Sequence, residues 1–193
     1  VGAGFYMTTS VGSFVWEDDN NNGQQDGGEL GIAGIDVILY ADATNMPLDT
    51  VTTDGSGNYQ FNNVSDSDYY IVFDPTTVPA GFVGVAQDQG ADASDSDADP
   101  TTGQTTSFTV AGGMPITDID AGYYTVASLG GFVWDDADGD GQQGGAETGL
   151  AGIDVILYDA NTNMPIDTIT TTATGTYTFN GLLPGDYYIV FDP

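Results

Sequence analysis

At 193 residues, with 40% hydrophobic and 11% aromatic residues, the chain has enough apolar material for a packed core in one large or two small domains. It has no Lys, Arg or His against 29 Asp plus Glu, a formal net charge of -29. That excludes nucleic acid as a partner, disfavours an anionic membrane surface, and leaves carboxylate repulsion to be relieved by bound cations rather than side-chain ion pairs.

No Cys is present, so disulfides and thiolate metal sites are impossible. No apolar run approaches the roughly 20 residues that span a bilayer, so no membrane insertion is expected in this segment. No signal peptide is visible in this window. Without Lys or Arg there is also no site for trypsin-like proteases, which suits persistence outside a cell.

Residues 1–10 contain Ala3-Gly4-Phe5-Tyr6, which resembles Ala121-Gly122-Tyr123-Tyr124 further on. They read as the last strand of a preceding repeat, or as a strand donated to a neighbour. Val11 to Trp16 reads as a strand. It runs into the twelve residues Asp18 to Glu29, D-D-N-N-N-G-Q-Q-D-G-G-E. A calcium loop of EF-hand type needs oxygen ligands at positions 1, 3, 5, 9 and 12, a backbone carbonyl at 7 and Gly at 6. Asp18, Asn20, Asn22, Gly23, Gln24, Asp26 and Glu29 fill all of these slots.

Ile35 to Tyr40 is rich in β-branched residues and reads as a buried strand. Leu48 to Thr53 and Asn58 to Phe61 read as strands joined by a hairpin turn at Asp54-Gly55-Ser56-Gly57. Tyr69 to Phe73 is the next strand, 76–104 reads as loop, and Thr105 to Val110 and Ile116 to Tyr124 are the last two. Trp16, Tyr59, Phe61, Tyr70 and Phe73 occupy strand positions and read as core. Within 76–104, Asp95, Asp97 and Asp99 fall at every second residue, a spacing that converges carboxylates on one cation as the first half of an EF-hand loop does.

Offsetting the sequence by 118 residues, Phe14 onto Phe132, aligns it with itself without a gap. Gly34 to Tyr40 recurs identically at Gly152 to Tyr158, and Tyr69 to Pro75 at Tyr187 to Pro193. The loop recurs as Asp136, Asp138, Asp140, Gly141, Gln142 and Glu147, with Gly144 at position 9 leaving that ligand to water. The expected organisation is therefore residues 1–10 from a preceding repeat, a complete repeat over 11–126, and the first part of the next over 127–193. About seven short strands per repeat, Gly, Asn and Asp turns, and no helical periodicity predict an all-β architecture. Its units are tandem antiparallel β-sandwich domains of Ig-like or prealbumin-like type with calcium-binding loops.

The run from Val15 to Gly34, V-W-x-D-x-N-x-N-G-x-Q-D-x-x-E-x-G-I-x-G, resembles the B-repeats of serine-aspartate repeat surface adhesins, the SdrD B-like domain family. G-x-Y-x-F at 57–61, D-S-D-A-D-P-T-T-G at 95–103 and I-D-A-G-Y at 119–123 are similar to the same family. The resemblance implies β-sandwiches of the collagen-adhesin B type that bind several calcium ions and act as extracellular stalks. It implies one ion at Asp18, Asn20, Asn22, Gln24, Asp26 and Glu29, and a further site using Asp95, Asp97 and Asp99. The Lys–Asn isopeptide bond of related domains cannot form without Lys.

Three functions are open on this sequence. The first is a calcium-rigidified structural repeat of a surface stalk, filament or surface layer, whose partners are calcium ions and neighbouring copies of the repeat. The second is an adhesive or carbohydrate-binding module that uses exposed Tyr and Asn. An enzyme would have only carboxylates, hydroxyls and metal to work with, and the acids fall in metal-loop patterns rather than as an isolated catalytic pair.

Overall fold

A computed structural model describes residues 7–145 and 147–192. The chain forms two compact units, Val1–Thr125 and Val126–Pro193. No helix is present among the described residues, and none is long and apolar enough to cross a membrane.

Among its described residues the first unit holds nine strands in chain order. These are β1 (Thr8–Val11), β2 (Val15–Glu17), β3 (Asp36–Ala41), β4 (Met46–Thr52), β5 (Phe61–Ser65), β6 (Ser67–Phe73), β7 (Phe82–Gly84), β8 (Phe108–Val110) and β9 (Ala121–Thr125). One layer is the antiparallel sheet β4-β3-β6-β8. The other is built from β1 paired with β5 and from β2-β9-β7. The two parts are joined where the Tyr59 amide donates to the Ser13 carbonyl (3.1 Å) and the Val15 amide to the Gly57 carbonyl (2.9 Å). Val15, Val37, Leu39, Tyr59, Phe61, Ile71, Phe73, Val110, Ala121 and Tyr123 fill the core between the layers. Trp16 and Tyr70 are buried as well.

Several sequence expectations shift in the structure. Asn58 to Phe61 does not form a hairpin with the preceding strand. Asp54 accepts from the Ser56 and Asn58 amides (2.8 and 3.0 Å) and makes the turn, but the chain then crosses to the other layer, and β5 pairs with β1. Residues 76–104 are not all loop, because Phe82–Gly84 is a strand against β9. Three residues are too few to show a period, so sequence pattern could not reveal it. Ile116 makes only an isolated bridge to Val11, and the last strand begins at Ala121. Among the described strands β2 pairs with β9 in parallel, in the register Val15↔Ala121, Trp16↔Gly122 and Glu17↔Tyr123, and the isolated Val11–Ile116 bridge is parallel too. Thr8 to Ser10 lie in β1 and pair with β5. Residues 1–6, the rest of the segment read as a preceding repeat's strand, lie outside the described residues.

The second unit repeats five of these strands, the counterparts of β1, β3, β4, β5 and β6, while the counterpart of β2 makes only an isolated bridge from Trp134 to Gly149. It contains β10 (Ala127–Phe132), β11 (Asp154–Asp159), β12 (Pro165–Thr170), β13 (Thr176–Leu182) and β14 (Tyr187–Asp192), as β10-β13 and β12-β11-β14. Details recur with the sequence. Tyr40 stacks on Tyr70 at 4.9 Å and Tyr158 on Tyr188 at 5.0 Å. The hydroxyls of Thr53 and Thr171, both buried, donate to the carbonyls of Ile32 (2.8 Å) and Leu150 (2.7 Å).

Burial differs at matching positions. Phe73 is fully buried, whereas its counterpart Phe191 is 47% exposed. Phe73→Ala is expected to cost the first unit about 3–5 kcal/mol, the usual range for a buried Phe. Phe191→Ala should cost the second unit clearly less, as read by denaturant unfolding of the two variants.

Candidate metal centres

The first loop, 18–29, leaves the end of β2 and returns beside it through the Glu17–Leu30 backbone bond (2.8 Å). Asp18 is fully buried. Its carboxylate accepts from the Asn20 and Asn22 amides (both 3.2 Å) and from the Gly23 amide (2.7 Å). Gly23 takes φ +77, and a Cβ there would lie 2.7 Å from the Gln89 side chain, so both conformation and space require Gly. Glu29 closes the ring by accepting from the Asp19 amide (3.1 Å) and the Asp26 amide (2.8 Å). The side-chain amides of Asn20 and Asn22 both donate to Asp26 Oδ2 at 2.9 Å, which draws positions 3, 5 and 9 round one point. Burial pushes the Glu29 carboxyl above its ordinary range, against those two amide bonds and with help from the charges of Asp18 and Asp26.

In the second loop, Asp136 accepts from the Gly139, Asp140 and Gly141 amides (2.8, 3.1 and 3.0 Å), and Glu147 from those of Ala137 and Gly144 (3.0 and 2.7 Å). Asp140 accepts from the Gln142 amide at 2.7 Å. Carboxylate oxygens of Asp136, Asp138 and Glu147 all lie within 4.8 Å of one another. Calcium takes oxygens at about 2.3–2.6 Å, so two ligands of one ion are at most about 5 Å apart. The three carboxylates satisfy that limit and the donor set is all oxygen, so the residues fit a calcium ion.

The second acidic stretch clamps the first loop. Gln25 donates its amide to the Ser94 carbonyl (2.7 Å), Ser96 to that of Gly23 (3.3 Å), and Gln24 forms a bridge with Asp95. Asp95 and Asp97 are buried, but Asp99 turns to other work. It accepts from the Thr101 and Thr102 amides (3.0 and 2.8 Å) and the Thr102 hydroxyl (2.9 Å), and these bonds hold its carboxyl below the usual range. The charge that acts most strongly on Asp97 is instead that of Asp120, a buried residue that sequence pattern assigned to a strand. The Asp120 amide donates to Asp97 Oδ2 (2.6 Å), and the Phe14 amide donates to Asp120 Oδ1 (3.0 Å). Its sequence signal is its place in the I-D-A-G-Y motif at 119–123. Burial raises Asp97 to about 7 and Asp120 to about 6.

The chain matches the SdrD B-like domain over residues 9–123 and 127–193. It belongs to the SdrD B-like domain family. Serine-aspartate repeat-containing protein C of Staphylococcus aureus strain N315 is 36% identical over 185 residues, 95% of this chain and 18% of that protein. Serine-aspartate repeat-containing protein D of strain Newman is 36% identical over 186 residues, 95% of this chain and 13% of that protein. The chain thus spans less than a fifth of the length of these relatives. Among solved structures it is similar to the Bacillus anthracis TIE protein, with TM-score 0.47 and 15% identity over 97% of this chain and 29% of that one. BcpA, the major pilin subunit of Bacillus cereus, gives TM-score 0.40 and 10% identity over 95% of this chain and 87% of that one.

Asp97 and Asp120 set a pH dependence in this SdrD B-like repeat. Their raised values mean the folded state holds protons that the unfolded chain, with Asp near 3.9, has lost. Metal-free stability is therefore expected to fall as pH rises from about 4 to about 7. Asp120→Asn keeps the acceptor for Phe14 and removes the charge, so the fall in melting temperature across that window should shrink in the variant.

Proposed function

We propose that the chain is a calcium-stabilised structural repeat of an extracellular stalk, filament or surface-layer fibre, and not an enzyme. The observation that carries this reading is the pair of twelve-residue oxygen-donor loops at matching places in two copies of one fold, in a chain with no side-chain cation. Membership of the SdrD B-like family supports the structural role.

In this reading Asp18, Asn20, Asn22, Asp26 and Glu29, with the Gln24 carbonyl, hold one ion. Asp136, Asp138, Asp140 and Glu147, with the Gln142 carbonyl, hold another, and the buried Asp95–Asp97–Asp120 group serves a further one. Bound calcium supplies positive charge that the chain lacks. The protein's own part is to fold each loop around its first and last carboxylates, and in the first unit to clamp it with 88–97. Partners are calcium ions and neighbouring copies of the repeat. Extracellular calcium modules work at dissociation constants of about 10⁻⁴–10⁻³ M, which matches the outside of a cell.

At about tenfold saturation each site adds roughly 1.4 kcal/mol. Calorimetry should therefore show melting temperatures raised by millimolar calcium and lowered by EDTA. Glu29→Gln should remove part of the shift from the first unit, and Glu147→Gln part from the second. Identical melting with calcium and with EDTA would overturn the reading.

A further inference from the structure

Asn is followed by Gly twice in the chain, at Asn22-Gly23 and at Asn180-Gly181. In such a pair no Cβ shields the Gly nitrogen, which can close a succinimide ring on the carbonyl carbon of the preceding side chain. In the first loop the dipeptide follows from the loop's own geometry. Position 6 requires Gly, here with φ +77, and position 5 carries an amide oxygen. The matching pair in the second loop is Asp140-Gly141.

The folded loop holds the two reacting groups apart. The Gly23 amide donates to Oδ2 of the buried Asp18 (2.7 Å), and the Gly23 carbonyl accepts from the Ser96 amide (3.3 Å). The Asn22 side chain is engaged at both ends. Its Nδ2 donates to Asp26 Oδ2 (2.9 Å), and its Oδ1 accepts from the Gln24 amide (2.7 Å). Attack needs the Gly23 nitrogen turned onto Asn22 Cγ, so these bonds must break first. Asn22 is exposed to water, and its protection comes from the bonds rather than from burial. Asn180-Gly181 stands differently. Both residues are exposed, in a bulge of β13 opposite Ser128, where ladder bonding is interrupted. The first unit has the same bulge at Asn62 and Asn63.

We propose that Asn22-Gly23 is a self-modification site that opening of the loop releases. The Gly23 nitrogen attacks Asn22 Cγ and forms the ring C–N bond. The Cγ–Nδ2 bond breaks, and ammonia leaves with the Gly23 proton. Water then opens the ring at either carbonyl and leaves an aspartate or an isoaspartate at position 22. The aspartate product gives the first loop the acid that Asp140 supplies in the second. It also removes the donor to Asp26 and sets two carboxylates together, so the modified loop needs a cation more than the original does. The site rests on the hydrogen bonds of the loop; only the product's demand for a cation rests on the calcium reading.

The test ages the full chain at mildly alkaline pH, folded in EDTA and unfolded in urea, and follows both pairs by peptide mass spectrometry. Chymotrypsin makes the peptides, since the chain offers trypsin no Lys or Arg. In urea both pairs should react. Folding should slow Asn22 at least about tenfold, because only the opened fraction of the loop reacts, and should slow Asn180 clearly less. Asp26→Ala frees the Asn22 side-chain amide and should restore part of the lost rate, whereas Asn22→Gln should abolish reaction at position 22. An Asn22 that stays intact in urea, or that folding slows no more than Asn180, would overturn the proposal. Calcium added to the folded chain should slow Asn22 further and leave Asn180 unchanged. If the EDTA and urea results hold while calcium leaves Asn22 unchanged, the calcium reading fails and the site stands.

Discussion

Every carboxylate in this chain has to be satisfied without a basic side chain, and the backbone N–H is the chain's main recourse. Asp54, Asp99 and Asp159 each collect amides from residues two to four positions on, and those bonds hold their carboxyls below the usual range. Asp18 and Asp136 do the same on a larger scale and wind a whole loop around one carboxylate. Hydrogen bonds to a charged acceptor are about twice as strong as neutral ones, so turns built this way are stiff. Where burial outruns the supply of donors, as at Asp97 and Asp120, the carboxyl is pushed above its ordinary range instead.

The sandwich follows from the same constraint. Acids crowd into turns and loops, and the strands are left to Val, Ile, Leu, Phe and Tyr, which close a core between two layers. The loop 18–29 is positioned by that core. It starts on the buried Trp16 strand, is tied to β9 through Tyr123, and is clamped by 88–97. The second loop carries the same ring of amide bonds, yet its first carboxylate, Asp136, is exposed where Asp18 is buried. It also carries acids at positions 3 and 5 where the first loop carries amides, so its side chains repel one another more strongly without a cation.

Much of the loop geometry was legible in the sequence because EF-hand spacing is local. Positions 1 to 12 are contiguous, and Gly at position 6 is required by backbone geometry wherever the loop sits. The repeat made the second loop legible as well. What escaped was non-local. Asp120 enters the buried group only through the parallel pairing of β2 with β9, a contact between residues about 106 apart, as in the Phe14–Asp120 bond. The spacing of Asp95, Asp97 and Asp99 suggested one shared ion, but the Pro-Thr-Thr-Gly that follows Asp99 makes it a turn cap. The hairpin expected at Asp54 to Gly57 had the right turn residues, and only the tertiary fold decides that the chain changes layers there.

The claim on which the account rests is that calcium stands in for the missing basic side chains at defined loops. Native mass spectrometry of the chain in calcium against magnesium measures it most directly. The account predicts discrete calcium-bound species at millimolar calcium, with one ion lost in Glu29→Gln and one in Glu147→Gln. A continuous, unselective distribution of adducts that is the same for both metals and unchanged in both variants would contradict it.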